Sequence, residues 1–116
     1  MEQKYENGER ILAIPNLKGF ICIPEEKIVC CRADGNYSII VLNNGEKHTI
    51  TRTIGKIEKV LNGDFFCRIH QSSIINVREV YQFHKGPPVM VEMKNGMQFT
   101  IARKRKSSFL NHFTTL

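Results

Sequence analysis

Between Arg10 and Ile50, short apolar runs alternate with turn sequences, and nothing else in the chain restricts its fold as tightly. The runs are Ile11–Ile14, Gly19–Ile23, Lys27–Ala33, Tyr37–Leu42 and Lys47–Ile50. They are too short for packed helices and rich in β-branched residues, so they predict consecutive strands. Asp34-Gly35-Asn36 and Asn43-Asn44-Gly45 separate the later runs. Gly and Asn tolerate the positive φ of tight hairpin loops, so three of these strands should form a meander.

The period changes after Ile50. Ile54, Ile57, Val60 and Leu61 recur at helical spacing, with Lys56, Glu58 and Lys59 off that face. The spacing predicts a short helix within residues 51–62, capped by Thr51 or Thr53 and ended by Asn62-Gly63. Phe65–Ile69 and Val77–His84 read as strands joined by a compact segment from His70 to Asn76. Pro87-Pro88 breaks the chain, and Val89–Met93 and Met97–Ile101 form a hairpin about Lys94-Asn95-Gly96. Ser107–Phe113 is expected to be a terminal helix with Phe109, Leu110 and Phe113 facing inward. The reading is one mostly-β domain over residues 1–116, its core spanning about residues 8–113, with two short helices.

A chain of 116 residues buries roughly two thirds of its unfolded surface, enough to fold without disulfide or metal. The cysteines, Cys22, Cys30, Cys31 and Cys67, form no C-x-x-C pair and lack the histidine spacing of a zinc site, so no metal or cofactor is expected. Each lies among apolar residues, which predicts buried or half-buried strand thiols in a cytoplasmic protein. The longest apolar stretch, about eight residues, falls far short of the roughly 20 that span a bilayer. The opening Met1-Glu2-Gln3-Lys4-Tyr5-Glu6 lacks the apolar core of a secretory signal.

Charge is distributed unevenly. Residues 1–76 hold ten Lys+Arg against nine Asp+Glu, whereas residues 77–116 hold seven against two. Within the second part Arg103, Lys104, Arg105 and Lys106 are consecutive, where a predicted strand meets the terminal helix. Such a run is presented to one side of the fold and suits a phosphate backbone or an acidic partner.

No active site emerges. His70, Ser72, Ser73 and Asp64 lack the glycine-flanked serine of a nucleophile elbow, and the glycines are scattered singly at turns rather than gathered in a phosphate loop. His70-Gln71-Ser72-Ser73 reads better as a binding surface, because a glutamine amide meets adenine through two hydrogen bonds and Ser or His contacts base edges or phosphates. The competing role for His70 and Ser72 is to cap the following turn from within the fold. Asn36, at its loop tip, carries the same two readings.

The whole chain resembles the LytTR DNA-binding domain, the output module of many bacterial response regulators. The resemblance rests on Ala33-Asp34-Gly35-Asn36-Tyr37, on the helix Arg52-Thr53-Ile54-Gly55-Lys56-Ile57-Glu58-Lys59-Val60-Leu61, and on Phe65-Phe66-Cys67-Arg68-Ile69-His70-Gln71-Ser72-Ser73-Ile74-Ile75-Asn76. Ile101-Ala102-Arg103-Lys104-Arg105 closes it, and it runs from about Gly8 to Phe113. It implies an elongated stack of small antiparallel sheets and loops that enter successive major grooves of a duplex site with repeated elements. It further implies base contacts from Asn36, from Gln71 with His70 beside it, and from Lys104 or its neighbour Arg103, with phosphate contacts from Arg105, Lys106 and Ser72. Two departures stand out: Gln71 replaces a frequent Arg, which moves preference from guanine toward adenine, and Ala102 replaces a Ser able to cap the last helix.

The expectation is therefore a sequence-specific duplex-DNA binder in transcription regulation, with no enzymatic activity and no membrane contact, acting as two copies on repeated half-sites. It is either the carboxyl-terminal piece of a regulator with an N-terminal receiver domain in a two-component system, or a stand-alone protein of this type. The competing class is a protein-interaction module that uses exposed β-edges and the basic carboxyl-terminal patch. A single-stranded RNA binder would display stacking aromatics on a sheet face, whereas most aromatics here read as core.

Overall fold

Ile28–Asp34 and Ser73–Asn76 are apolar on both faces at their centres, and strands of that kind belong in the middle of a sheet covered on both sides. The computed structural model describes residues 9–116 and places them there. In chain order the strands are β1 (Ile11–Asn16), β2 (Gly19–Pro24), β3 (Ile28–Asp34), β4 (Tyr37–Leu42) and β5 (Lys47–Ile50). Helix α1 (Ile54–Val60) follows, then β6 (Phe66–His70), β7 (Ser73–Asn76), β8 (Val80–His84), β9 (Met90–Met93), β10 (Gln98–Thr100) and helix α2 (Lys106–Leu110). They assemble into three antiparallel sheets: a five-stranded one in the order β5-β4-β3-β7-β6, a three-stranded one in the order β10-β9-β8, and the hairpin β1-β2. The mostly-β stack with two short helices expected from the sequence is the observed fold.

Strand alternation sends side chains to opposite faces and so builds two cores. Ile40 and Ile74 point to one face of the central sheet, where Leu12, Ile14 and Ile23 of the hairpin and Ile54, Ile57 and Leu61 of the α1 region meet them. Val41, Ile75, Cys67 and Ile69 point to the other, against Val89, Val91, Met93, Ile101 and Phe109. Between the two cores Asn76 is fully buried: its Nδ2 donates to the Ile28 carbonyl at 2.9 Å and its Oδ1 accepts from the Arg78 N–H at 3.0 Å.

Several local expectations are corrected. Residues 70–76 are not merely a connector, because Ser73–Asn76 pairs with both β3 and β6; four residues give too short a pattern to separate a strand from a turn. Neither threonine caps α1, since Thr53 occupies the N-cap position without a side-chain hydrogen bond, and the helix ends on extended Leu61. Leu110 lies outside, 37% exposed, because α2 spans only five residues and turns Phe109 inward. Cys22 is exposed on β2, whose hairpin is covered on one side only, whereas Cys30, Cys31 and Cys67 are buried as expected. Among the described residues no helix is long and apolar enough to cross a membrane.

Candidate nucleic-acid interface

Strand register brings the loops singled out in the sequence to one end of the central sheet. The β3–β4 loop is two residues, Gly35 and Asn36, between the paired Asp34 and Tyr37, and Gly35 takes φ +62°, which a side chain would disfavour. The β6–β7 loop, Gln71 and Ser72, lies beside it, because β3 pairs with β7 and the Ala33 N–H donates to the Ser72 carbonyl at 2.9 Å. The basic run joins from the other side, where the Ala102 N–H donates to the Ile69 carbonyl at 2.8 Å, one residue before His70. Asn36, His70, Gln71, Arg103, Lys104 and Lys106 are all exposed.

The β6–β7 loop is held in shape from within. Arg68 donates through Nε to the His70 carbonyl at 2.9 Å and through Nη2 to the Gln71 carbonyl, while its Nη1 meets Glu58 Oε1 of α1 at 2.7 Å. One guanidinium thus fastens the last carbonyl of β6 and the first of the loop and ties them to the helix, a use its rigid fork suits. His70 Nδ1 accepts from the Ser72 N–H at 3.2 Å and lies 2.9 Å from Ser72 Oγ. An amide N–H can only donate, so Nδ1 is the unprotonated nitrogen and neutral His70 carries its proton on Nε2. His70 therefore caps the Ser72 N–H, as the turn-capping reading asked, and Ser72 Oγ at the same time orients the His70 ring.

The four basic residues diverge. Arg103 and Lys106 border a recess shared with Lys85 and Gly86-Pro87-Pro88. Gly86 is required there, since a Cβ would sit 2.2 Å from the Pro88 carbonyl carbon. Lys104 turns the other way, toward Gly63, Asp64, Ser107 and Asn111. Arg105 is half-buried and its positive charge lies close enough to Cys67 to favour that thiolate, although burial dominates and pushes the Cys67 thiol up. Sequence reasoning passed over three residues. Lys85 reaches this region only through the return of the loop after β8, and Arg68 was read as part of a motif rather than as a clamp. Exposed Arg52 joins the same end because Ser38 Oγ donates to its carbonyl at 2.8 Å.

A rigid antiparallel scaffold with amide, imidazole and cationic side chains gathered on adjoining loops at one end is the arrangement of a β-type DNA-binding domain. The family model of the LytTr DNA-binding domain matches residues 18–114, and the chain belongs to that family. DNA binding and transcription regulation follow from this membership, and the family's members are DNA-binding output domains rather than enzymes. Among solved structures the chain is similar to the LytTr DNA-binding domain of a methyl-accepting/DNA response regulator from Bacillus cereus. The two share 20% identity at a TM-score of 0.75, over 88% of this chain and 94% of the other, which establishes the common fold. No curated protein matches the sequence.

Proposed function

We propose that this domain reads duplex DNA through three loops, with Asn36 in one, Gln71 and His70 in the second, and Arg103 and Lys104 in the third. The observation that carries the reading is their adjacency through the Ala33–Ser72 and Ala102–Ile69 backbone hydrogen bonds. The Asn36 and Gln71 amides match adenine, Arg103 or Lys104 matches guanine, and the Nε2–H of His70 is a donor for guanine or a phosphate. Lys106 and Lys85 hold the backbone, while Ser72 serves by fixing His70 and Arg105 contributes least because it leans toward Cys67.

Major-groove entry by the outer loops has a geometric consequence. From the β3–β4 loop to the segment beyond β6 is about four strand spacings, or about 20 Å. Successive major grooves on one side of straight B-DNA are about 34 Å apart. Long side chains close part of the gap, and bending the duplex toward the protein closes the rest at a cost of a few kcal/mol, on the order expected for such bends. Two copies on repeated half-sites would double the readout.

Selection from a random duplex pool at about 150 mM salt, followed by fluorescence anisotropy, tests the proposal. A repeated motif bound at least about a thousandfold tighter than its scramble is expected. Gln71→Ala should relax preference at one base position at a cost of about 1–3 kcal/mol, and Lys106→Ala should weaken all sequences alike and reduce the salt slope by about one. A pool that stays random, with binding lost as salt rises, would leave only an electrostatic patch.

A further inference from the structure

Among the described residues, the edge of β1 that faces α1 has no partner strand. In the β1–β2 hairpin the Glu25 N–H donates to the Arg10 carbonyl at 2.8 Å, which makes Arg10 opposite Glu25 a hydrogen-bonded pair. Antiparallel pairs alternate, so Leu12, Ile14 and Asn16 also bond to β2, whereas Ile11, Ala13 and Pro15 turn their backbone groups away. The prolines agree with this parity: Pro15 and Pro24 both occupy positions where the ladder needs no N–H. At one end the Pro15 carbonyl accepts from the Thr51 N–H at 3.1 Å, which fixes the direction this edge faces. Among the described residues the N–H and C=O groups of Ile11 and Ala13 have no hydrogen-bond partner.

These groups line a groove of about 430 Å³ between β1 and α1. Its floor is apolar, with Leu12, Ile14, Ile40, Ile50 and Ile57 of the first core, and Phe20 and Val60 stand exposed at its margin. Arg52 and Lys56 line it toward the Pro15 end, Arg10 lines the other end while bound to Glu25, and among the described residues no Asp or Glu lines it. β1 precedes the residues matched by the family model, and of the residues lining this groove Arg52 alone was placed at the loop end that holds Asn36 and Gln71.

We propose that the β1 edge receives an extended, acidic segment of a partner protein by strand addition. A strand supplies what the groove lacks: alternate N–H and C=O groups for Ile11 and Ala13, apolar side chains on the face toward the floor, and carboxylates for Arg52 and Lys56. A helix or an acyl chain would cover the floor and leave the four backbone groups without partners.

The probe is a labelled, acetylated peptide of about eight residues, a common strand length, alternating Ile with Glu. Titration against the intact chain is expected to give saturable binding. Affinity should fall at least about tenfold when the amides facing β1 are N-methylated, when Lys replaces Glu in the peptide, and in Lys56→Glu. Ala13→Pro should have the same effect, because it removes an outward N–H without touching the β1–β2 ladder; melting curves check that it folds. Should that variant fail to fold, the N-methylated peptide makes the same test on the unaltered chain. Absence of saturable binding, or equal binding of the N-methylated or Lys-bearing peptide, would overturn the proposal. A concentration-dependent dimer lost on Lys56→Glu would also overturn it, by giving the edge to a second copy.

Discussion

The two faces of the central sheet are covered to different degrees. On one, β8, β9, β10 and α2 pack over the core, and Phe83, Phe109 and Phe113 meet with ring centroids 5.1–5.5 Å apart, two of the three pairs edge to face. On the other, the β1–β2 hairpin and α1 are joined at one end by Pro15 and Thr51 and at the other by Arg10, whose Nη2 donates to the Val60 carbonyl at 2.6 Å, and between these joins lies a groove with Ile11 49%, Phe20 70% and Val60 58% exposed. One face carries the basic run, which must be held against β6 to stand beside Gln71; the other carries a strand edge that no described residue pairs with. Rigid support and available surface have thus been assigned to opposite sides of one sheet.

Truncation in the face packed against α2 should break this contrast most severely. Phe109→Ala removes a fully buried ring wedged between two others, and a loss of about 3–5 kcal/mol is expected in denaturant unfolding. Ile57→Ala on the grooved face should cost about 2 kcal/mol, at the low end of such truncations, because its site borders the groove and can relax into it. Equal losses would mean that the two faces are packed alike. Arg68→Ala should leave the melt nearly unchanged, since the β6–β7 hairpin keeps its ladder, yet weaken cognate DNA by about 1–2 kcal/mol as His70 and Gln71 lose their fixed positions. An equal loss on scrambled DNA would assign Arg68 to the phosphates instead.

Thiol chemistry gives the smallest and most local test. Cys22, exposed on the hairpin, should react with a maleimide in the folded protein, whereas Cys30, Cys31 and Cys67 should react only on unfolding. Burial pushes the Cys30 thiol up to about 11, and Cys31 and Cys67 upward as well. A thiol raised in the folded state keeps its proton where the unfolded chain gives its own up. This contribution to stability is therefore full below about pH 9 and lost as pH rises through about 11, which alkaline unfolding curves can read.

Strand-scale patterns made most of the architecture legible. Gly35 and Asn36 define their hairpin by local chemistry alone, and the apolar run of β4 marks a strand, although that Ile40 and Val41 enter different cores is seen only in the structure. Short elements were harder. Ser73–Asn76 is a central strand only because β3 and β6 lie on either side, and Asn76, read within a motif of a DNA-binding family, proves to be a buried bracket between Ile28 and Arg78. Of the candidate site, residue types were visible and partnerships were not: Ser72, expected at a phosphate, is bonded within the loop to His70.

The sequence by itself determined most of the strands, the turns, the uneven charge and the residue types proposed to meet DNA, because propensity, alternation and side-chain chemistry act over a few neighbouring residues. Only the tertiary structure decided that three loops distant in sequence share one end of a sheet, that Arg68 clamps one of them, and that among the described residues β1 keeps an open edge. Those outcomes depend on strand order and register, which are set by which apolar faces bury one another across the whole chain and are written in no single segment.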